Sequence, residues 1–151
     1  MNPTVPRSTA AAEDYLERIQ ELIETKGYAR VVDIAASLRI SQASVTNMVK
    51  RLDAEGLVLR ERYRGLVLTE EGESIAKAIG HRHRILSGFL QLLGVSEEEI
   101  ERDVEGMEHH LSSSSLRAIE SLCQELASDR SLLERIHQSR VQGSGMSSSG
   151  S

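Results

Sequence analysis

Glu105, Glu108 and His109 fall at i, i+3 and i+4 in the run Asp103-Val104-Glu105-Gly106-Met107-Glu108-His109-His110. On a helix those positions share a face, so two carboxylates and an imidazole point the same way. Oxygen and nitrogen donors converging on one point are how a divalent cation is held. The solvated face of an acidic helix has the same pattern, and the run by itself leaves both readings open. Partners elsewhere must decide. Asp14 and Glu17 are three apart on the first predicted helix, where an acidic first turn set against the helix dipole is the simpler account of Glu13 and Asp14. His83 stands in the run His81-Arg82-His83-Arg84, where an imidazole is more often a plain surface residue. Taken together, Asp14, Glu17, His83, Glu105, Glu108 and His109 offer four carboxylates and two imidazoles on three predicted helices. If those helices converge, the set could hold one or two divalent ions, with shared carboxylates permitting a pair about 4 Å apart. It contains no cysteine, which disfavours a structural zinc site. Oxygen-rich ligation with one or two imidazoles suits Mn2+ or Fe2+. His110 projects about 100° away from His109, and His81 faces away from His83, so both stay outside the set.

The elements that must position these residues come from 151 residues, enough for one ordinary domain or two small ones. Aromatics are scarce (Tyr15, Tyr28, Tyr63, Phe89 and no Trp), so the core must be aliphatic, which suits packed helices. The prolines, Pro3 and Pro6, precede the first periodic segment. A single cysteine, Cys123, excludes an internal disulfide; it sits in an apolar helical pattern and is expected to be a buried thiol. No signal peptide and no membrane-spanning apolar run is present, so a cytoplasmic protein without membrane contact is expected. The net charge of −5 argues against nucleic acid, but residues 26–64 carry +4 and the remainder −9. One basic segment inside an acidic chain fits a DNA-contacting module joined to something with another task.

Residues 1–8 read as a flexible arm, followed by a helix over Ala10–Lys26 that stops at Gly27. Its apolar stripe is Leu16, Ile19, Leu22 and Ile23. Two short helices follow, Val31–Leu38 and Gln42 to about Glu55, the second capped by Ser41. Val45, Met48, Val49 and Leu52 face inward; Gln42, Ser44, Thr46, Asn47, Lys50 and Arg51 make a polar, basic outer face. That is the pattern of a helix-turn-helix, although plain helical hairpins share it. Strands over 57–62 and 65–69, turning at Tyr63-Arg64-Gly65, then add a wing tipped by Arg62, Tyr63 and Arg64. The wing's arginines would meet phosphates or the minor groove.

After Thr69 the periodicity predicts a long helix to about Leu93, disturbed at Gly80 or Gly88. A helix from the Ser96-to-Glu99 capping box to about Leu111 follows, then one carrying Leu116, Ile119, Leu122, Cys123 and Leu126. A last short helix would hold Leu132, Leu133 and Ile136. The fold class is therefore mainly α: a winged helix-turn-helix over 9–70, an all-helical domain over 71–141 and a disordered Gly/Ser tail over 142–151. The apolar faces after Thr69 exceed what one chain can bury, which predicts a homodimer.

Several stretches together resemble the metal-dependent repressors of the diphtheria toxin repressor family, in its manganese-responsive branch. They are Glu13-Asp14-Tyr15-Leu16-Glu17, Lys26-Gly27-Tyr28-Ala29-Arg30-Val31, Ser44-Val45-Thr46, Tyr63 to Thr69 and Asp103 to Leu111. The resemblance covers roughly residues 10–127 and fades in the Ser-rich, Trp-free segment after His110 and in the last 25 residues. It implies a homodimeric repressor of metal-uptake genes that binds a pseudo-palindromic double-stranded DNA operator. It implies Asp14, Glu17, His83, Glu105, Glu108 and His109 as ligands and a metal that links the DNA-binding and dimerisation domains. Iron-responsive members resemble this chain but place Met and Cys where it has Asp14 and Glu105, which favours Mn2+ over Fe2+, Zn2+, Cd2+ or Co2+. The DNA-contacting residues expected are Arg30, Gln42, Ser44, Thr46, Asn47, Lys50, Arg62, Tyr63 and Arg64.

Other readings compete. An iron or zinc sensor on the same fold differs only in its metal ranking. A two-metal hydrolase would use the same carboxylates, but the chain shows no separate nucleophile and no Gly-rich phosphate loop. A winged-helix regulator answering an organic ligand would leave the three-helix ligand set as coincidence.

Overall fold

The structure, a computed structural model, describes residues 9–144. Their order is α1 (Ala10–Lys26), α2 (Val31–Leu38), α3 (Gln42–Ala54), β1 (Val58–Glu61), β2 (Gly65–Leu68), α4 (Glu70–Leu92), α5 (Glu97–Met107), α6 (Ser113–Ser128) and α7 (Arg130–Ser144). The chain divides into two compact units between Gly80 and His81, within α4. The expected arm, 1–8, and residues 145–151 of the expected tail lie outside the described residues.

In the first unit, α1 begins at Thr9, whose hydroxyl accepts from the Ala12 N–H at 3.2 Å. It ends where Gly27, at φ 81°, donates its N–H to the Ile23 carbonyl at 2.9 Å. Leu16, Ile19 and Leu22 of its stripe are buried. They share one core with Ile34 of α2, with Val45, Val49 and Leu52 of α3, and with Leu57, Val58 and Leu66 around the hairpin. Full burial of each such side chain is worth about 1.5–3 kcal/mol. Of the two valines that open α2, Val31 packs on this core while Val32 is 53% exposed.

The hairpin is antiparallel, with Val58 opposite Leu68 and Glu61 opposite Gly65. Its strands are shorter than expected because Leu57 and Thr69 serve the ends instead. Thr69 donates its hydroxyl to the Gly56 carbonyl at 2.7 Å and accepts from the Gly72 N–H at 3.1 Å, which starts α4. Ala29 lies beside the wing. Its N–H donates to the Arg64 carbonyl at 2.9 Å, and its carbonyl accepts from the Leu66 N–H at 2.8 Å. Gly65, at φ 74°, is required there, since a Cβ would lie 2.4 Å from the Ala29 carbonyl oxygen. α4 runs unbroken past Gly80 and Gly88, contrary to the expected disturbance. A glycine in a helix interior costs only about 0.5–1 kcal/mol, too little to break 23 residues.

The second unit is built on Leu86 of α4, Ile100 and Val104 of α5, and Leu116 of α6. Ser96 caps α5 and Ser112 caps α6, each accepting from the N–H three residues on. Two expectations fail here. α5 stops at Met107 instead of near Leu111. α7 is not a short helix before a tail from Gln142 but continues to Ser144. His137 Nε2 donates to the Leu92 carbonyl at 2.7 Å and Arg140 donates to the Leu93 carbonyl, so α7 is fastened to the C-terminal carbonyls of α4. Cys123 is half-buried, not buried, and Leu122 is 47% exposed, so one chain does not consume the apolar stripe of α6.

Candidate metal centre and DNA-binding face

Glu108 is, among the described residues, the buried carboxylate of the second unit, 3% exposed. An ionised carboxylate out of water is costly unless it is paired. Its Oε2 lies 2.9 Å from Nδ1 of His83 on α4, and its Oε1 lies 3.6 Å from Nε2 of His109. The His109 side chain is 6% exposed; that of His83 is 43% exposed. A buried carboxylate with an imidazole at each oxygen is an O,N,N donor set of the kind that divalent Mn, Fe, Co or Zn accepts, so these residues fit such an ion. No sulfur donor takes part.

The local fold differs from the simple helix-face picture. Glu108 is the C-cap of α5, still near helical backbone at φ −62°, ψ −26°, with its N–H on the Val104 carbonyl at 2.9 Å. His109 lies beyond the helix in a tight turn, where the His110 N–H donates to the Met107 carbonyl at 3.1 Å. Glu105 is exposed on α5, and among the described residues no hydrogen bond or ion pair joins it to Glu108 or His83. Asp14 and Glu17 are half-buried on α1 of the first unit.

Arg82 was missed by sequence reasoning. It donates to the carbonyls of Glu108 and Leu111, the two ends of the turn that carries His109. No sequence signal pointed to it, because with the helix expected to run to about Leu111 its last turn held His109 and His110.

The DNA-contacting candidates gather on the first unit. Gln42, Ser44, Asn47 and Lys50 are exposed on α3, while Thr46 is half-buried. The Ser44 hydroxyl is 2.9 Å from that of Ser41, the cap of α3, so it serves the helix start as well. Arg30 is exposed, with its guanidinium 4.8 Å over the Tyr28 ring. On the wing tip Tyr63 is 82% exposed and Arg62 lies 5.8 Å over its ring. Arg64 instead forks onto Glu61, Nε and Nη2 each donating at 2.8 Å. That fork holds the Glu61 carboxyl below its usual range and raises the Arg64 guanidinium.

Two family models match in tandem. "Iron dependent repressor, N-terminal DNA binding domain" covers residues 8–66, and "Iron dependent repressor, metal binding and dimerisation domain" covers 69–134. The HTH-type transcriptional regulator MntR of Geobacillus kaustophilus (strain HTA426) is 50% identical over 128 residues, covering 85% of this chain and 91% of the relative. The same-named regulator of Bacillus subtilis (strain 168) is 50% identical over 122 residues, covering 81% and 86%. Among solved structures, the manganese regulator SloR superposes with TM-score 0.68 at 32% identity, over 75% of this chain and 53% of SloR. ScaR with bound Zn2+ gives TM-score 0.66 at 31% identity, over 75% and 53%. This chain thus spans about half the length of those solved proteins but most of the length of the curated relatives. Among the described residues no helix is long and apolar enough to cross a membrane. The winged unit, the helical unit and both family matches agree: the chain belongs to the iron-dependent (diphtheria toxin) repressor family, in the branch of the MntR regulators, as a metal-dependent DNA-binding transcriptional repressor and not an enzyme.

Proposed function

We propose that this repressor answers Mn2+ in the cytoplasm and controls metal-uptake genes. One or two ions per subunit are held by Asp14, Glu17, His83, Glu105, Glu108 and His109. The observation that carries the reading is the Glu108 carboxylate, 3% exposed, with His83 and His109 at its two oxygens. Carboxylates at Asp14, Glu17 and Glu105 would add hard oxygen donors, which favour Mn2+ over softer ions. The relatives named MntR and the manganese regulator SloR support the same choice. ScaR with bound Zn2+ and with bound Cd2+ supports the reading that Zn2+ and Cd2+ also enter, while the donor set admits Fe2+ and Co2+.

A divalent ion held by these residues would supply the positive charge that offsets the mutual repulsion of their carboxylates. Asp14 and Glu17 belong to α1 of the DNA-reading unit; His83, Glu105, Glu108 and His109 belong to the dimerisation unit. Ligation by both groups restrains the two α3 helices of a homodimer. Those helices must enter major grooves about 34 Å apart on pseudo-palindromic double-stranded DNA. Metal and DNA affinities then rise together, by about 1–3 kcal/mol in a typical coupled system. The test is DNA binding titrated with Mn2+, Fe2+, Zn2+, Cd2+ and Co2+ for the parent, Asp14→Met and Glu105→Cys. Softer donors should raise Fe2+ and Zn2+ relative to Mn2+. An unchanged metal ranking removes the case for manganese and leaves an iron or zinc sensor.

A further inference from the structure

Periodicity predicts that α5 runs to about Leu111, yet the helix stops at Met107 and the ligand turn begins. Something selects turn over helix, and the residues around Glu108 show what it is. A helix C-terminus leaves its last four carbonyls without intrahelical donors and carries partial negative charge. α5 has no basic residue in its last turn. Its negative end also adjoins Glu108, itself a buried carboxylate. Uncompensated, that juxtaposition of like charge is unfavourable.

Arg82 supplies the compensation from α4. Its Nη1 donates to the Glu108 carbonyl at 3.3 Å and also to the Leu111 carbonyl. One nitrogen therefore ties both ends of the segment that carries His109. The neighbouring residue, His83, holds the carboxylate of the same Glu108 at 2.9 Å. Consecutive residues of a helix project about 100° apart, so α4 grips the turn at two different places, backbone and side chain. Released from Arg82, residues 108–111 could continue the helix as their periodicity suggests. The placement of His109 against Glu108 and His83 that the turn now gives would then be lost.

We infer that Arg82 is the positioning residue of the metal-ligand turn: it holds the turn formed before an ion arrives and so sets metal affinity and coordination without touching the ion. This rests on the assignment of Glu108 and His109 as ligands above. Outer groups that orient ligands typically govern about 10–100-fold in metal affinity.

The experiment measures Mn2+ affinity by chelator competition, and the visible absorption spectrum of the Co2+ form, for the full-length parent, Arg82→Met and Arg82→Lys. Helix content and denaturant stability of the metal-free proteins are measured alongside. Arg82→Met should weaken Mn2+ binding about 10–100-fold and alter the Co2+ spectrum, with helix content preserved. Arg82→Lys keeps the charge but shortens the reach to the two carbonyls, and should fall between. Equal affinity and an unchanged spectrum in Arg82→Met overturn the inference; if that variant does not fold, an unchanged Arg82→Lys overturns it. Affinity lost only in step with lost helix also overturns it, because Arg82 would then be mere support. A parent that takes up no Mn2+ overturns the ligand assignment and this inference with it. A parent that binds while both variants bind equally well overturns this inference alone.

Discussion

His83 Nδ1 and Glu108 Oε2 lie 2.9 Å apart across 25 residues of sequence, joining the middle of α4 to the cap of α5. This contact makes Glu108 tolerable as a carboxylate that is 3% exposed, and it places an imidazole where a cation would share its oxygens. Glu108→Gln removes the buried charge while keeping shape. The metal-free protein should hold or gain thermal stability, since an uncharged amide costs less to bury than an ionised carboxylate. The rise in Tm that Mn2+ gives the parent should disappear. A metal-induced shift that survives in Glu108→Gln would remove Glu108 from the ligand set.

The wing carries a second test. Arg64 is occupied by Glu61, whereas Lys50 on α3 and Arg62 on the wing are exposed. Lys50→Ala and Arg62→Ala should weaken binding across DNA sequences and each reduce the salt slope by about 1. Glu61→Gln should free Arg64 for phosphate and steepen the slope by a comparable amount. Salt-dependent fluorescence anisotropy reads both. A Glu61→Gln slope equal to the parent's would mean that Arg64 stays off the DNA.

Gly65→Ala should destabilise the first unit by about 1–3 kcal/mol, through positive φ and the clash with the Ala29 carbonyl. The same change should loosen the wing from the Tyr28-Ala29-Arg30 segment. Urea denaturation measures the stability loss, and a neutral Gly65→Ala would contradict the backbone bridge.

Much of this architecture is written locally. Thr9, Ser41, Ser96 and Ser112 each cap a helix as their side chains suggest, and Gly27 ends α1 in the left-handed region. The aliphatic stripes of α1 and α3 find one core, and the wing follows α3 directly. What failed was non-local. The periodicity of residues 103–111 does not show that α5 stops at Met107, or that Arg82 of α4 donates to the Glu108 and Leu111 carbonyls beyond it. Nor does the Gly/Ser composition near residue 142 show that His137 and Arg140 fasten α7 to α4. Cys123 sits on an apolar stripe, but a stripe does not say whether its own chain covers it. For the candidate metal centre the sequence offered the donor types, but it did not show that Glu108 is buried while Glu105 is exposed, because that depends on packing between helices.

The α5 start gives a stability test. The Ser96 hydroxyl accepts from the Glu99 N–H and lies 2.7 Å from the Glu99 carboxylate, which holds the Glu99 carboxyl below its usual range. Ser96→Ala should cost about 1 kcal/mol. A depressed folded-state pKa means that the Glu99 contribution is present above the ordinary carboxylate range and is lost as pH falls through the lowered value. The parent minus Ser96→Ala difference should therefore shrink in acid. A difference independent of pH would show that the carboxylate takes no part in the cap.

The most direct measurement is binding of the full-length protein to double-stranded DNA selected from a random pool, with Mn2+ present and then with excess chelator. The account predicts a pseudo-palindromic sequence bound about 5–150-fold more tightly with Mn2+, reversed by chelator and absent in Glu108→Gln. Equal affinity in Mn2+ and in chelator would contradict it.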